Sequence, residues 1–227
     1  IILIGSEKLI TSQLKFLKKK LNFEIIDKSS NNGELKNKIY LIDIKYNFKK
    51  PFEKISYKSQ YYISECFKVS LNYLNSGVSD IIINGPISKK HFLKNKYPGI
   101  TEYIFSKSNK KISKKPVMLI FNEKLSVSPV TTHMPLKDVS KKINKDSIIN
   151  NVEIINNFYK KNLNIKPKIA LLGLNPHCET KSKYNEELKI IKPSKKKLKK
   201  KKINITGPFS ADTFFLKDNI SNYNSVV

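Results

Sequence analysis

Short apolar runs rich in isoleucine recur along this chain, and longer stretches with helical spacing separate them. Ile1–Ile4, Lys38–Ile44, Asp80–Asn84, Val117–Phe121, Leu125–Val130, Lys168–Leu174 and Ile203–Thr206 read as strands. Glu7–Leu21, with Leu14, Leu17 and Leu21 on one face, reads as a helix. So do Ser59–Asn75 (Ile63, Cys66, Phe67, Ser70 and Leu74 in register), Ser147–Tyr159 (Ile148, Val152, Ile155 and Tyr159 inward) and Tyr184–Lys192. Asp80–Asn84 is a continuous apolar run closed by Gly85-Pro86, as suits a strand buried on both faces of a parallel sheet. Lys168–Leu174 (KIALLGL) has the clearest character of a central strand. This alternation predicts an α/β protein built on parallel sheet.

At 227 residues the chain has enough length for one sizeable core or two small ones. A boundary is expected near 107–115, which is rich in Ser and Lys and has Ile112 as its one large apolar side chain. The longest apolar stretch, Ile169–Leu174, is far short of the roughly 20 residues that a membrane-spanning helix needs. Cys66 and Cys178 form no CxxC pattern, which argues against a disulfide framework and for a reducing, cytoplasmic setting. The first residue is Ile1, and we expect a piece of a longer polypeptide.

All 44 basic residues are lysine, set against 18 acidic ones, for a formal charge of +26. Alanine appears only at 170 and 211. A genome poor in G and C drives codon choice in this direction, so much of the charge reads as bias on a solvated surface. The competing reading is a lysine-rich polyanion-binding protein. Readers of nucleic acid usually rely on arginine for bidentate contact, and arginine is absent. Lys195–Lys202 (KKKLKKKK) reads as an exposed helix end or as an anion-binding patch.

The residues suited to chemistry sit just after the apolar runs, where open α/β sheets collect their ligands. Five segments stand out: Asn84–Lys89 (NGPISK), Gly99–Glu102 (GITE), Thr131–Leu136 (TTHMPL), Gly173–His177 (GLNPH) and Gly207–Thr213 (GPFSADT). His133 and His177 each follow an apolar run and a turn, a placement that serves either local hydrogen bonding or a shared divalent metal. Asp212 is either a helix-start acid or a carboxylate that moves a proton. Lys89 either binds a substrate phosphate or is one more surface lysine, and His91 reads as surface. The seven glycines are isolated, so neither GxGxxG nor GxxxxGK[ST] exists here.

Taken in order, the five segments resemble those of the 4-hydroxythreonine-4-phosphate dehydrogenase family of vitamin B6 biosynthesis (GPxxK, PGHTE, TTHxPL, GLNPH and GPxxADT). The resemblance implies two α/β/α lobes like those of isocitrate and isopropylmalate dehydrogenases, which bind NAD without the glycine fingerprint. It also implies a homodimer with the active site between lobes and a divalent metal ion (zinc, magnesium or cobalt) held by three histidines. His133 and His177 match the first two ligands, Thr101 matches a substrate contact and Asp212 a family aspartate near the site. In the family's PGHTE, Ile100 replaces the substrate-binding histidine and cannot donate a hydrogen bond.

The family's opening GDPxGIGPE stretch is missing, and its YHDQ segment, which carries the third ligand, is expected after Val227. The implied reaction is NAD-dependent, metal-assisted oxidation, with decarboxylation, of 4-phosphooxy-threonine. The 227 residues alone are expected to be nearly inactive. A related dehydrogenase of acid-sugar phosphates is the nearest alternative.

Overall fold

The computed structural model describes residues 1–28, 37–94, 96–108, 115–178 and 185–227. It divides into two compact units, 1–112 and 113–227. The expected linker at 107–115 lies largely outside the described residues. Parallel β sheet appears in both units, as the alternation predicts.

In the first unit, β1 (Ile2–Gly5), β2 (Glu24–Ile25) and β3 (Tyr40–Asp43) form a parallel sheet in the order β1-β3-β2. Ile2 lies opposite Tyr40, and Gly5 opposite Asp43. The helix α1 (Glu7–Phe16) starts where Ser6 Oγ accepts the Leu9 N–H, and the Glu7 N–H donates to Asp43 Oδ1 at 3.0 Å. It stops five residues before the expected Leu21. Lys18 enters the left-handed region at φ 53°, Lys19 N–H reaches Leu14 O and Lys18 N–H reaches Lys15 O. That closing pattern normally recruits glycine, so periodicity gives no warning of it. Leu17 and Leu21 are left exposed.

A 3₁₀ turn (Tyr57–Ser59) leads into α2 (Gln60–Asn75), followed by α3 (Lys89–Leu93) and α4 (Ile100–Lys107). Helix α2 serves two clusters rather than the single face that its spacing predicts. Val69 and Tyr73 pack on Ile42 and Ile44 of the sheet side, while Phe67 packs with Phe92, Leu93 and Tyr103.

Residues 80–84 correct an expectation: they form no strand. Ile83 is 92% exposed and Ile81 68% exposed. A strand needs a hydrogen-bonding neighbour, and among the described residues this run has none; it faces Ile1–Ile4 across a cleft of about 1120 Å³. Among the described residues, no charged side chain lines that cleft.

In the second unit, β4 (Ser126–Val127), α5 (Leu136–Lys142), α6 (Lys145–Asn162) and β5 (Ile169–Leu172) come first. A π turn (Glu187–Ile191) then runs into α7 (Lys192–Lys200), followed by β6 (Ile205–Phe209), α8 (Ala211–Phe214), α9 (Lys217–Ile220) and β7 (Ser225–Val226). The sheet is parallel throughout, in the order β4-β7-β5-β6. Val117–Phe121 adds no strand, only an antiparallel bridge between Ile120 and Val127.

Strand β5 alternates as a strand covered on both sides must. Ile169 and Leu171 meet Ile148, Val152 and Ile155 of α6 and Leu198 of α7, whereas Ala170 packs with Phe214 and Val226. The lysine run is thus an amphipathic helix: Ser194 and Leu198 are buried while lysines face solvent. No helix among the described residues is long and apolar enough to cross a membrane.

Candidate active site

Adjacent parallel strands end side by side, and β5 and β6 bring two of the singled-out segments together. Gly173 N–H donates to Phe209 O at 2.9 Å, so the turn after β5 lies against the turn after β6. The His177 ring stands over this junction with its side chain 81% exposed, and its Nδ1 is 3.8 Å from Asp212 Oδ2. Ser210 Oγ sits between the Pro176 carbonyl oxygen and the Asp212 carboxylate, within hydrogen-bonding reach of both. The Ser210 hydroxyl above all, and then the His177 ring, hold the Asp212 carboxyl below its ordinary value. Asp212 is therefore ionised at neutral pH.

The turn itself is built from a buried carboxylate. Glu187 is 0% exposed. It accepts the Asn175 backbone N–H at 2.8 Å, and both of its oxygens accept from Asn175 Nδ2, at 3.1 and 2.9 Å. Burial alone would push this carboxyl up. The Asn175 backbone and amide donors, joined by the N–H groups of Glu187 and Leu174, outweigh burial and hold it below the usual glutamate value. The Cys178 N–H closes the turn on Asn175 O at 3.0 Å. A side chain at Gly173 has no room, since its Cβ would fall 2.4 Å from Cys178 Sγ.

A polar cleft of about 670 Å³ opens beside this junction, lined by His177, Ser210, Lys192 and Lys195 among others. Lys195 Nζ donates to Gly207 O. Burial, then Lys199 and Lys192, lowers its ammonium below the ordinary lysine value. Two ammonium groups beside an imidazole and a carboxylate suit an anionic ligand. Sequence reading missed Lys192 and Glu187; it included Asn175 in the GLNPH segment and Lys195 in the lysine run, but gave neither its place at this site. The i, i+3 spacing of the two lysines was the available signal, and a background of 44 lysines hid it.

His133 is exposed, occupies the left-handed region at φ 53°, and makes no hydrogen bond or ion pair among the described residues. It does not line the cleft at His177. Among the described residues, no three His, Cys, Asp or Glu side chains are clustered as a metal site. The donor types at the His177–Asp212 junction, a solvent-accessible imidazole and an ionised carboxylate, are ones that divalent metals use.

Lys89 and Thr101 belong to the first unit and are exposed, at the starts of α3 and α4. Ile100 packs against the cluster of Phe67, Phe92, Leu93 and Tyr103. His91, expected at the surface, is half-buried: its ring lies 4.9 Å from that of Tyr57, and its Nδ1 is 2.8 Å from Ser88 Oγ.

The sequence pattern of a family described as pyridoxal phosphate biosynthetic protein PdxA matches residues 1–227. A 4-hydroxythreonine-4-phosphate dehydrogenase of Sulfurihydrogenibium sp. (strain YO3AOP1) is 37% identical over 94% of this chain and 66% of its own length. A D-threonate 4-phosphate dehydrogenase of Pectobacterium atrosepticum is 31% identical over 71% of this chain and 50% of its own. The crystal structure of a 4-hydroxythreonine-4-phosphate dehydrogenase from Burkholderia phymatum superposes with a TM-score of 0.79 at 25% identity, covering all of this chain and 69% of that one. The chain thus spans between half and two thirds of the length of these two curated relatives. On the strength of a match along its whole length, the chain belongs to the PdxA family of pyridoxal phosphate biosynthetic proteins.

Proposed function

We propose that the polypeptide to which these residues belong carries out NAD-dependent, metal-assisted oxidation of 4-phosphooxy-threonine, with decarboxylation, in pyridoxal phosphate biosynthesis. One observation carries the reading beyond family membership: His177 and Asp212 meet at the carboxyl ends of adjacent parallel strands, beside a cleft with two lysines. A divalent ion bound here would supply polarisation of the substrate hydroxyl, and NAD would serve as the hydride acceptor. His133 and His177 are the ligands that this chain contributes.

Asp212, oriented by Ser210, takes the hydroxyl proton. Lys89 binds the substrate phosphate and Thr101 contacts the substrate. The homodimer implied by the family resemblance is part of the same proposal, as is a cytoplasmic setting.

Zinc titration into the 227-residue chain tests the ligand assignment. We expect weak binding that His177→Ala and His133→Ala each diminish. Affinity indifferent to both substitutions overturns it.

A second reading concerns the substrate. Ile100 stands where the family resemblance places a histidine, it packs in an apolar cluster, and a D-threonate 4-phosphate dehydrogenase is among the relatives. NADH formation by the polypeptide to which these residues belong, measured with 4-phosphooxy-threonine and threonate 4-phosphate side by side, decides between them.

A further inference from the structure

We infer that Glu187 is a positioning residue for His177. The inference rests on the reading of His177 as a site residue. The geometry behind it is local and specific. Glu187 is buried, yet it belongs to no ion pair among the described residues; its partners are the backbone N–H and side-chain amide of Asn175. A carboxylate is acceptor-only, and Asn175 Nδ2 lies within donating reach of both Glu187 oxygens, with a weaker 3.4 Å contact from the same amide to Glu186 Oε2.

Asn175 is thereby fixed at backbone and side chain together. Its carbonyl oxygen in turn receives the Cys178 N–H, so the four-residue turn Asn175–Cys178, which holds Pro176 and His177, is closed at both ends. Pro176 O meets Ser210 Oγ, which also meets Asp212. The chain of contacts runs from Glu187 through Asn175 and the turn to the imidazole and the carboxylate facing it.

Space reinforces the lock. A Cβ at Gly173 would lie 3.3 Å from Glu187 Oε1, so the carboxylate has been brought up against the strand end itself. Glu187 opens the π turn that precedes α7, the helix carrying Lys192 and Lys195. One carboxylate therefore ties the histidine turn to the helix that lines the same cleft. Partners hydrogen-bonded directly to a metal ligand typically matter by about 10–100-fold in affinity; Glu187 acts through Asn175, one step further out, so the lower end of that range applies.

The test uses the 227-residue chain and three variants: Glu187→Gln, Asn175→Ser, and the swap Asn175→Asp with Glu187→Gln. In Glu187→Gln an amide meets an amide, and two donors oppose each other. The swap restores one donor facing one acceptor. The first readout needs no metal: nuclear Overhauser contacts between the His177 ring and the β protons of Ser210 and Asp212. The second is zinc affinity, and the third is urea stability.

We expect Glu187→Gln to lose the ring contacts and about 10-fold in zinc affinity, Asn175→Ser to weaken both, and the swap to recover both. Unchanged ring contacts in Glu187→Gln, or a swap that recovers stability but not the ring contacts, overturns the inference. If Glu187→Gln does not fold, Asn175→Ser and the swap decide the question by the same readouts. Loss of the ring contacts alongside a wild-type zinc titration indifferent to His177→Ala upholds the positioning role and removes the metal reading.

Discussion

A Cβ placed on Gly207 would lie 2.1 Å from the carbonyl oxygen of Leu171. Strands β5 and β6 approach so closely here that only a hydrogen fits, and Gly207 adopts φ 117°, a conformation open to glycine and strained for other residues. This contact sets the separation of the strand ends that carry His177 and Asp212. Gly207→Ala is expected to destabilise the second unit by about 1–3 kcal/mol from backbone strain alone, with the clash added. Urea unfolding measures it. A loss below about 0.5 kcal/mol would mean that the strands part without penalty.

Tyr159 reaches across the sheet from α6. Its hydroxyl donates to Asn224 O at 2.8 Å and lies 2.8 Å from Ser126 Oγ, which in turn meets Ser225 Oγ. All four side chains or carbonyls sit where β4 and β7 join, and Ser126 and Ser225 are fully buried. Tyr159→Phe leaves acceptors without a donor in a dry setting, at a cost of about 1–3 kcal/mol. The same substitution combined with Ser126→Ala should cost less than the sum of the two, since the pair fails together. Denaturant titration of the two single variants and the double variant gives the coupling directly.

Acid should loosen the His177 turn through Glu187. Its folded carboxyl titrates below the ordinary glutamate value of about 4.3. The stability that it adds is complete above that ordinary value and disappears as pH falls through the lower folded one. The stability gap between wild type and Glu187→Gln should therefore be constant from neutral pH down to the ordinary glutamate range, then close below it. A gap that stays open in strong acid would show that ionisation of Glu187 is not what holds Asn175.

The parts of the fold legible in the sequence are those where one signal decides. Helix α6 shows Ile148, Val152, Ile155 and Tyr159 at helical spacing, and all four are buried as that spacing dictates. Strand β5 was legible because KIALLGL is apolar on both faces. The candidate site was legible where motif residues follow strands, as with His177 and Asp212. Partners that depend on tertiary approach were not legible. Glu187 looks like any other glutamate until α7 folds back beneath the turn, and Ser225–Val226 is too short to announce a strand, yet it fills the gap between β4 and β5. Helix α1 ended early because a lysine took the left-handed closing position that glycine usually fills.

Composition and exposure disagree most sharply at Asp80–Asn84, and the disagreement can be measured. This run has the composition of a core strand, but among the described residues it has no ladder partner, and Ile83 is 92% exposed. Composition alone would give Ile83→Ser the large penalty of a core substitution. Exposure gives it almost none, within about 0.5 kcal/mol. Ile155, 1% exposed in the second unit, supplies the contrast: Ile155→Ala should cost about 2–5 kcal/mol. Urea titrations of the two variants of the 227-residue chain separate these expectations. A penalty above about 1 kcal/mol for Ile83→Ser would mean that this isoleucine is covered in solution, because a side chain that keeps its water on folding has no burial energy to lose.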